Sequence, residues 1–187
     1  MSGVPIRRSG GRPSATAAVL LETTILEAAT AAFLANGYAA TTIEAIARAC
    51  GVAKRTIYAR WSGKPALFRA VLERLMARWL SAAGTWAEAD NLEAALNEAA
   101  VRILAVALSP EAIALNRLLI AESGRFPELV LMMRQAGAGE GTARIAAVLD
   151  RAVAAGTLPG QDTVFAAEQF LHLVLAGPQR RELCLGS

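Results

Sequence analysis

The sequence predicts an all-α protein: an N-terminal three-helix helix-turn-helix unit joined by a continuous helix to a C-terminal helical bundle. Three observations predict it. Apolar residues recur at three- and four-residue spacing along most of the 187 residues. No segment shows the period-two alternation of a half-buried strand, and no fixed-period repeat appears. Between positions 41 and 60, two short helical segments meet at Gly51 behind a longer one.

Residues 1–13 hold three Gly, two Pro and three Arg with no apolar period, and read as a flexible basic arm. From Ser14 the pattern turns helical. Ile25, Leu26, Ala29, Ala32 and Phe33 form one stripe, and Gly37 in "NGY" supplies a stop. "TTIE" at 41–44 is a capping-box signature, in which the Thr41 hydroxyl takes an orphan amide and Glu44 reaches back to the cap. Ile43, Ile46 and Ala47 give that short helix its apolar face, and Gly51 ends it. A second short helix follows, from Ala53 to about Arg60. Helices this short need a packing partner, which the first helix supplies through Ile25 and Phe33.

A longer helix runs from Lys64 to about Ala83 with Leu67, Val71, Leu75 and Leu80 inward; Pro65 suits its first turn. No flexible linker therefore separates the N-terminal unit, residues 14–76, from residues 77–187. The remaining helices are expected near 91–107, 111–123, 127–136, 141–155 and 162–176, separated by "AGTWAEAD", "LSP", "GRF", "GAGEG" and "AGTLPGQD".

Charge is distributed unevenly. Residues 1–64 carry eight Lys/Arg against Glu22, Glu27 and Glu44, a net of +5; the rest of the chain is mildly acidic. The stretch "GVAKRTIYARWSGK" concentrates four basic and two aromatic side chains in fourteen positions, and no acid occurs between Glu44 and Glu73. A basic N-terminal third points to a polyanionic partner. On a helix spanning 53–60, Lys54, Arg55 and Tyr58 share one sector while Ile57 faces inward. Such a face suits a DNA major groove, where cations reach guanine acceptors and phosphates and a Tyr contacts a thymine methyl or backbone oxygen. Thr42 and Lys64, each at a helix start, are positioned for phosphate. Arg7, Arg8 and Arg12 on the arm add minor-groove or backbone contacts. Trp61 reads as a core plug beneath the motif.

At these residues the chain resembles the tetracycline-repressor (TetR) family: "TTIEAIARACGVAKRTIYARWSGKPALF" follows a Thr-led first helix, A-x-x-x-G-V, T-[LI]-Y before an aromatic, and Gly-Lys-x-x-Leu-Phe. The resemblance covers about residues 14–76. It implies an all-helical homodimer whose N-terminal helices bind DNA and whose larger C-terminal bundle dimerises and binds a small molecule. Carried onto this chain, Tyr58 and Lys64 fall at family DNA contacts, Thr42 at a phosphate contact, and Lys54 and Arg55 at variable positions that set sequence preference. Thr56 stands in the T-[LI]-Y pattern and joins the candidate contacts. The family often has Ser where this chain has Ala53, so a capping hydroxyl is missing there. The C-terminal "LLIAESGRFPEL" resembles one of the family's regulatory-domain subgroups.

The expected effector is a small apolar or aromatic molecule, with Trp86, Asn116, Phe126, Met132, Gln169 and His172 as candidate contacts. The expected dimer seam is the helices near 141–155 and 162–176, where alanines at 143, 146, 147, 152 and 154 permit close approach and Ile145, Val148, Leu149 and Phe165 fill it. A two-fold dimer implies a pseudo-palindromic operator. A DNA-binding protein without a ligand is the competing reading.

Other classes find little support. With a single histidine, His172, and no nucleophile elbow or phosphate loop, an enzyme is not indicated. Cys50 and Cys184 have no metal-ligand spacing, so neither metal nor cofactor is expected, and Cys50 should fill a small buried slot. No uncharged apolar run reaches the roughly 18 residues of a membrane span, and no apolar segment follows the N-terminal arginines as in a secretory signal; a cytoplasmic protein with no membrane partner is expected.

Overall fold

Apolar spacing of three and four residues becomes helix throughout the computed structural model, which describes residues 15–84 and 91–185. No strand occurs among the described residues. The helices are α1 (Ala15–Ala40), α2 (Ile43–Ala49), α3 (Lys54–Tyr58), α4 (Lys64–Ala83), α5 (Leu92–Ala107), α6 (Pro110–Glu122), α7 (Glu128–Met133), α8 (Glu140–Ala154) and α9 (Thr163–Leu185). A π-helical turn, Arg134–Ala138, follows α7.

The N-terminal unit is α1, α2 and α3. α1 is broken at Gly37, whose φ of 80° and ψ of 169° are open to glycine and costly for a side chain. The break redirects the chain into the α2 corner and exposes carbonyls that Thr41 uses. Thr41 is buried, with its hydroxyl 2.7 Å from the Gly37 carbonyl and 3.1 Å from that of Ala32. The cap of α2 is therefore Thr42, not Thr41. Its hydroxyl oxygen accepts from the Ala45 amide at 3.1 Å, and Glu44 turns outward instead of closing a capping box. Gly51, at φ 66°, makes the turn into α3.

α3 is shorter than expected. It closes at Tyr58, with Ala59 and Arg60 forming a tightened last turn in which the Arg60 and Trp61 amides both donate to the Ile57 carbonyl. Ala53 occupies the cap position in extended conformation with no side-chain bond to the helix. Ala53→Ser is expected to stabilise the protein by about 1 kcal/mol, raising Tm by roughly 2–4 °C in a thermal melt.

One apolar core runs from the helix-turn-helix into the body. Ile25, Phe33, Ile46 and Ile57 pack with Leu67, Phe68 and Leu75 of α4, and the same cluster takes in Leu115 and Leu118 of α6 and Leu129 and Met132 of α7. Trp61 packs half-buried against it. Cys50 is half-buried and directs its Sγ at the Thr24 carbonyl; burial pushes its thiol pKa up. α1 is long and apolar enough by composition to span a bilayer, yet Ile25, Leu26, Ala29 and Phe33 are spent on this core.

A second cluster joins α5, α8 and α9 around Ala99, Ile145, Ala146, Leu149 and Ala167. α5 is capped by the Asn91 side chain and α6 by Ser109, with Pro110 in its first turn. α9 runs past the end expected near residue 176 and carries Pro178 inside it. A proline removes its own amide and costs one intrahelical bond, and beyond it Arg117 of α6 donates to the Glu182 carbonyl at 2.7 Å.

Candidate nucleic-acid interface and effector cavity

The exposed face of α3 is set by Ile57, which is fully buried and fixes the helix against the core. Lys54, Arg55 and Tyr58 are exposed as a consequence, with Tyr58 at 47% of its full accessibility. Thr56 is half-buried beside them. The Lys54 ammonium lies 5.6 Å from the Tyr58 ring centroid, so cation and aromatic form one patch. Thr42 is exposed at the start of α2. Because its oxygen accepts the Ala45 amide, its hydroxyl proton remains able to donate. Arg7, Arg8 and Arg12 lie outside the described residues.

Lys54 also pairs with Glu44 across the turn. That hydrogen bond holds the Glu44 carboxyl below, and the Lys54 ammonium above, their ordinary pKa values. Both groups are exposed, so the pair is weak, but it competes with any polyanion for Lys54. Glu44→Gln is therefore expected to tighten DNA binding a few-fold, read by fluorescence anisotropy at fixed salt.

Lys64 is engaged inside the protein. Its ammonium donates to the carbonyls of Tyr38, Ala39 and Thr41 at 2.9, 3.2 and 3.1 Å and lies 4.6 Å from the Tyr38 ring centroid. An ammonium has three donors, so a phosphate contact would require one of these bonds to be exchanged. Burial lowers the Lys64 pKa, while nearby Glu122 opposes that shift. The arrangement ties α4 to the end of α1 at the point where α2 begins.

The same corner is clamped from the body. Glu122, the last residue of α6, accepts from the Ala39 amide through Oε1 at 2.9 Å. The same oxygen lies 2.8 Å from where a Cβ on Gly37 would stand. Tyr38 meets the rings of Phe68 and Phe126 edge-on, both at 5.1 Å between centroids. Phe126, expected to touch an effector, instead packs in this aromatic seam.

The cavity lies between α4, α5, α6, the end of α7 with the π-helical turn, α8 and α9, with a volume of about 240 Å³. Met76 and Trp79 of α4, Ile103 of α5, Leu115 of α6 and Met133 form much of its apolar wall, and Asn116, Arg144 and Gln179 supply polar groups. Of the six expected contacts, Asn116 lines it. Met132 is buried in the first core and its neighbour Met133 faces the cavity. His172 borders a separate depression with Thr142 and Glu168, Gln169 is exposed on α9, and Trp86 lies outside the described residues. Arg144 and Gln179 were missed because charged and amide side chains ordinarily face water. The available signal was spacing: Arg144 stands four residues before buried Val148, at the inner edge of α8.

The structure also redistributes the expected dimer seam. Ile145, Val148 and Leu149 are buried within the chain's own core. Ala143, Ala147 and Ala154 remain exposed on α8, and Val164, Phe165 and Leu173 on α9, Leu173 at 81%.

Comparison with known proteins agrees with this architecture. Residues 25–71 match the family described as bacterial regulatory proteins, tetR family, and residues 94–187 match the AefR-like transcriptional repressor C-terminal domain. The Flavonoid-responsive Regulator FrrA is 31% identical, with 90% of this chain and 86% of that chain covered and a TM-score of 0.79. A TetR-family regulator from Mesorhizobium loti is 29% identical over 91% of this chain and 86% of that one, with a TM-score of 0.78. The fold is shared with FadR from Bacillus subtilis, solved with stearoyl-CoA, at 17% identity, 85% and 86% coverage and a TM-score of 0.71. No curated protein matches the chain. The family and fold are those of regulators rather than enzymes. With a buried Ile57 presenting a cationic, aromatic helix face, and both segments matched, the chain belongs to the TetR family of DNA-binding transcriptional regulators.

Proposed function

We propose that the chain is a homodimeric cytoplasmic repressor, with residues 14–76 as its reading head, released from a pseudo-palindromic operator when a small apolar or aromatic molecule enters the cavity beside α4. The observation that carries the DNA reading is the α3 face: Lys54, Arg55 and Tyr58 exposed on a helix whose opposite side is locked by Ile57. Arg55 and Lys54 read base edges, Tyr58, Thr56 and Thr42 contact backbone or methyl groups, and Lys64 holds the corner from which α2 and α3 are presented.

Exposed Val164, Phe165 and Leu173, with the small exposed side of α8, support pairing of two copies through α8 and α9. Two-fold pairing sets two α3 helices about one helical turn of DNA apart or slightly more. The cavity supports an effector because its wall includes Met76, Trp79 and Leu80 of α4, the helix whose first residue anchors the α2 corner. FrrA, related at 31% identity, is named for a flavonoid response, which favours an aromatic effector. A ligand that prefers one α4 position shifts the spacing of the α3 pair, and a coupling of about 1–3 kcal/mol corresponds to roughly 5- to 150-fold release.

Selection of bound duplexes from a randomised pool tests the reading. An inverted repeat with binding that weakens steeply in salt is expected, each neutralised phosphate contributing about −0.9 to the log-log slope. Recovery of no common sequence, or a flat salt response, would count against it. Thermal shift over a panel of apolar and aromatic compounds then separates a ligand-responsive protein from a constitutive one.

A further inference from the structure

α4 ends at Ala83 with no basic residue in its last turn, so donors for its terminal carbonyls must come from elsewhere. Two arginines provide them. Arg102 of α5 donates through Nη1 to the Ala83 carbonyl at 3.3 Å and through Nη2 to the Glu98 carboxylate at 2.6 Å. Arg144 of α8 donates through Nη1 to the Leu80 and Gly84 carbonyls at 3.1 and 3.0 Å. Their charges are balanced differently. Arg102 has Glu98 as its counter-ion, whereas no carboxylate among the described residues pairs with Arg144. Among the described residues, Arg144 is also the one ionisable side chain lining this cavity.

We propose that the effector is an anionic amphiphile, a compact apolar body bearing one carboxylate or comparable acid group, and that Arg144 is the residue that reads the acid. The proposal rests on this cavity being the effector site. A guanidinium of a residue lining a largely apolar cavity, with no counter-ion among the described residues, favours a ligand that brings one, because reduced dielectric strengthens the pairing. Both carbonyl bonds use Nη1. Nε and Nη2, which have no protein acceptor among the described residues, form the fork that takes a carboxylate through two parallel bonds. The volume of about 240 Å³ lies below the roughly 300–1,000 Å³ usual for ligand sites, which suits a single ring or short chain. Because the same guanidinium holds the last turn of α4, an acid drawn onto it bears directly on the helix that carries the DNA-reading corner.

Phenylacetate, phenylethanol and phenethylamine share one apolar body and differ in charge, so titration of each into the full chain by calorimetry tests the inference. Phenylacetate is expected to bind roughly tenfold to hundredfold more tightly than phenylethanol, as a charge-assisted pair should, with phenethylamine weakest. Arg144→Gln should erase the preference while leaving phenylethanol affinity in place, and Arg144→Lys should keep part of it. Equal or tighter binding of phenylethanol or phenethylamine to the unaltered chain overturns the inference and leaves the cavity reading standing. A carboxylate preference that persists in Arg144→Gln overturns the role of Arg144, and binding of none of the three overturns both readings. The comparison on the unaltered chain does not depend on how either variant folds.

Discussion

Replacing Lys54 and Arg55 together by alanine is expected to reduce affinity for a selected operator duplex by at least about 100-fold, while binding to scrambled duplex falls much less. The two side chains lie on the exposed side of a helix held by buried Ile57, so their loss leaves the core intact. Each good side-chain–base pairing contributes roughly 1–3 kcal/mol of discrimination, and a two-fold dimer makes every contact twice. Residual non-specific binding should persist through the remaining cations. Fluorescence anisotropy on both duplexes at one salt concentration makes the measurement. An equal loss on the two duplexes would show that Lys54 and Arg55 meet only phosphates, and would move sequence reading elsewhere.

The second large effect concerns the seam between head and body. Phe33→Ala is expected to destabilise the protein by about 3–5 kcal/mol and lower Tm by on the order of 6–20 °C. Phe33 is fully buried, with its ring centroid 4.9 Å from Phe68 edge-on and 5.9 Å from Tyr38, and Tyr38 in turn meets Phe126 of the body. The core is continuous across this seam, so helicity and tryptophan fluorescence should be lost together in one transition at the lower temperature. Two separated transitions would show instead that the helix-turn-helix unfolds on its own.

Both expectations concern residues legible in the sequence itself. The inward positions Ile25, Phe33, Ile57 and Leu67 follow from helical spacing, and the outward sector of Lys54, Arg55 and Tyr58 follows from the same rotation. The uncapped Ala53 is a local feature, and it was readable for that reason. The capping box misled by one residue. Its pattern is met by Thr41 and Glu44, but the break at Gly37 leaves carbonyls close to Thr41 and turns its hydroxyl inward, passing the cap to Thr42. Lys64 shows the limit of local spacing: a lysine at a helix start suits a phosphate, and only the fold adds that three carbonyls from a segment about two dozen residues away hold its ammonium.

Position along the chain and helical period determined the helices, their inward faces and the cationic surface of α3, because each depends on neighbours within a turn or two. Packing between distant helices decided the rest. It buried Ile145, Val148 and Leu149 where a dimer seam was expected, carried α9 through Pro178, and placed Phe126 in an aromatic seam. It also brought Arg144 to the end of α4, some sixty residues earlier in the chain, where the residue also lines a cavity that no local pattern announces. A side chain's partner across the fold is set by how helices cross, and crossing geometry is written in no single stretch of sequence.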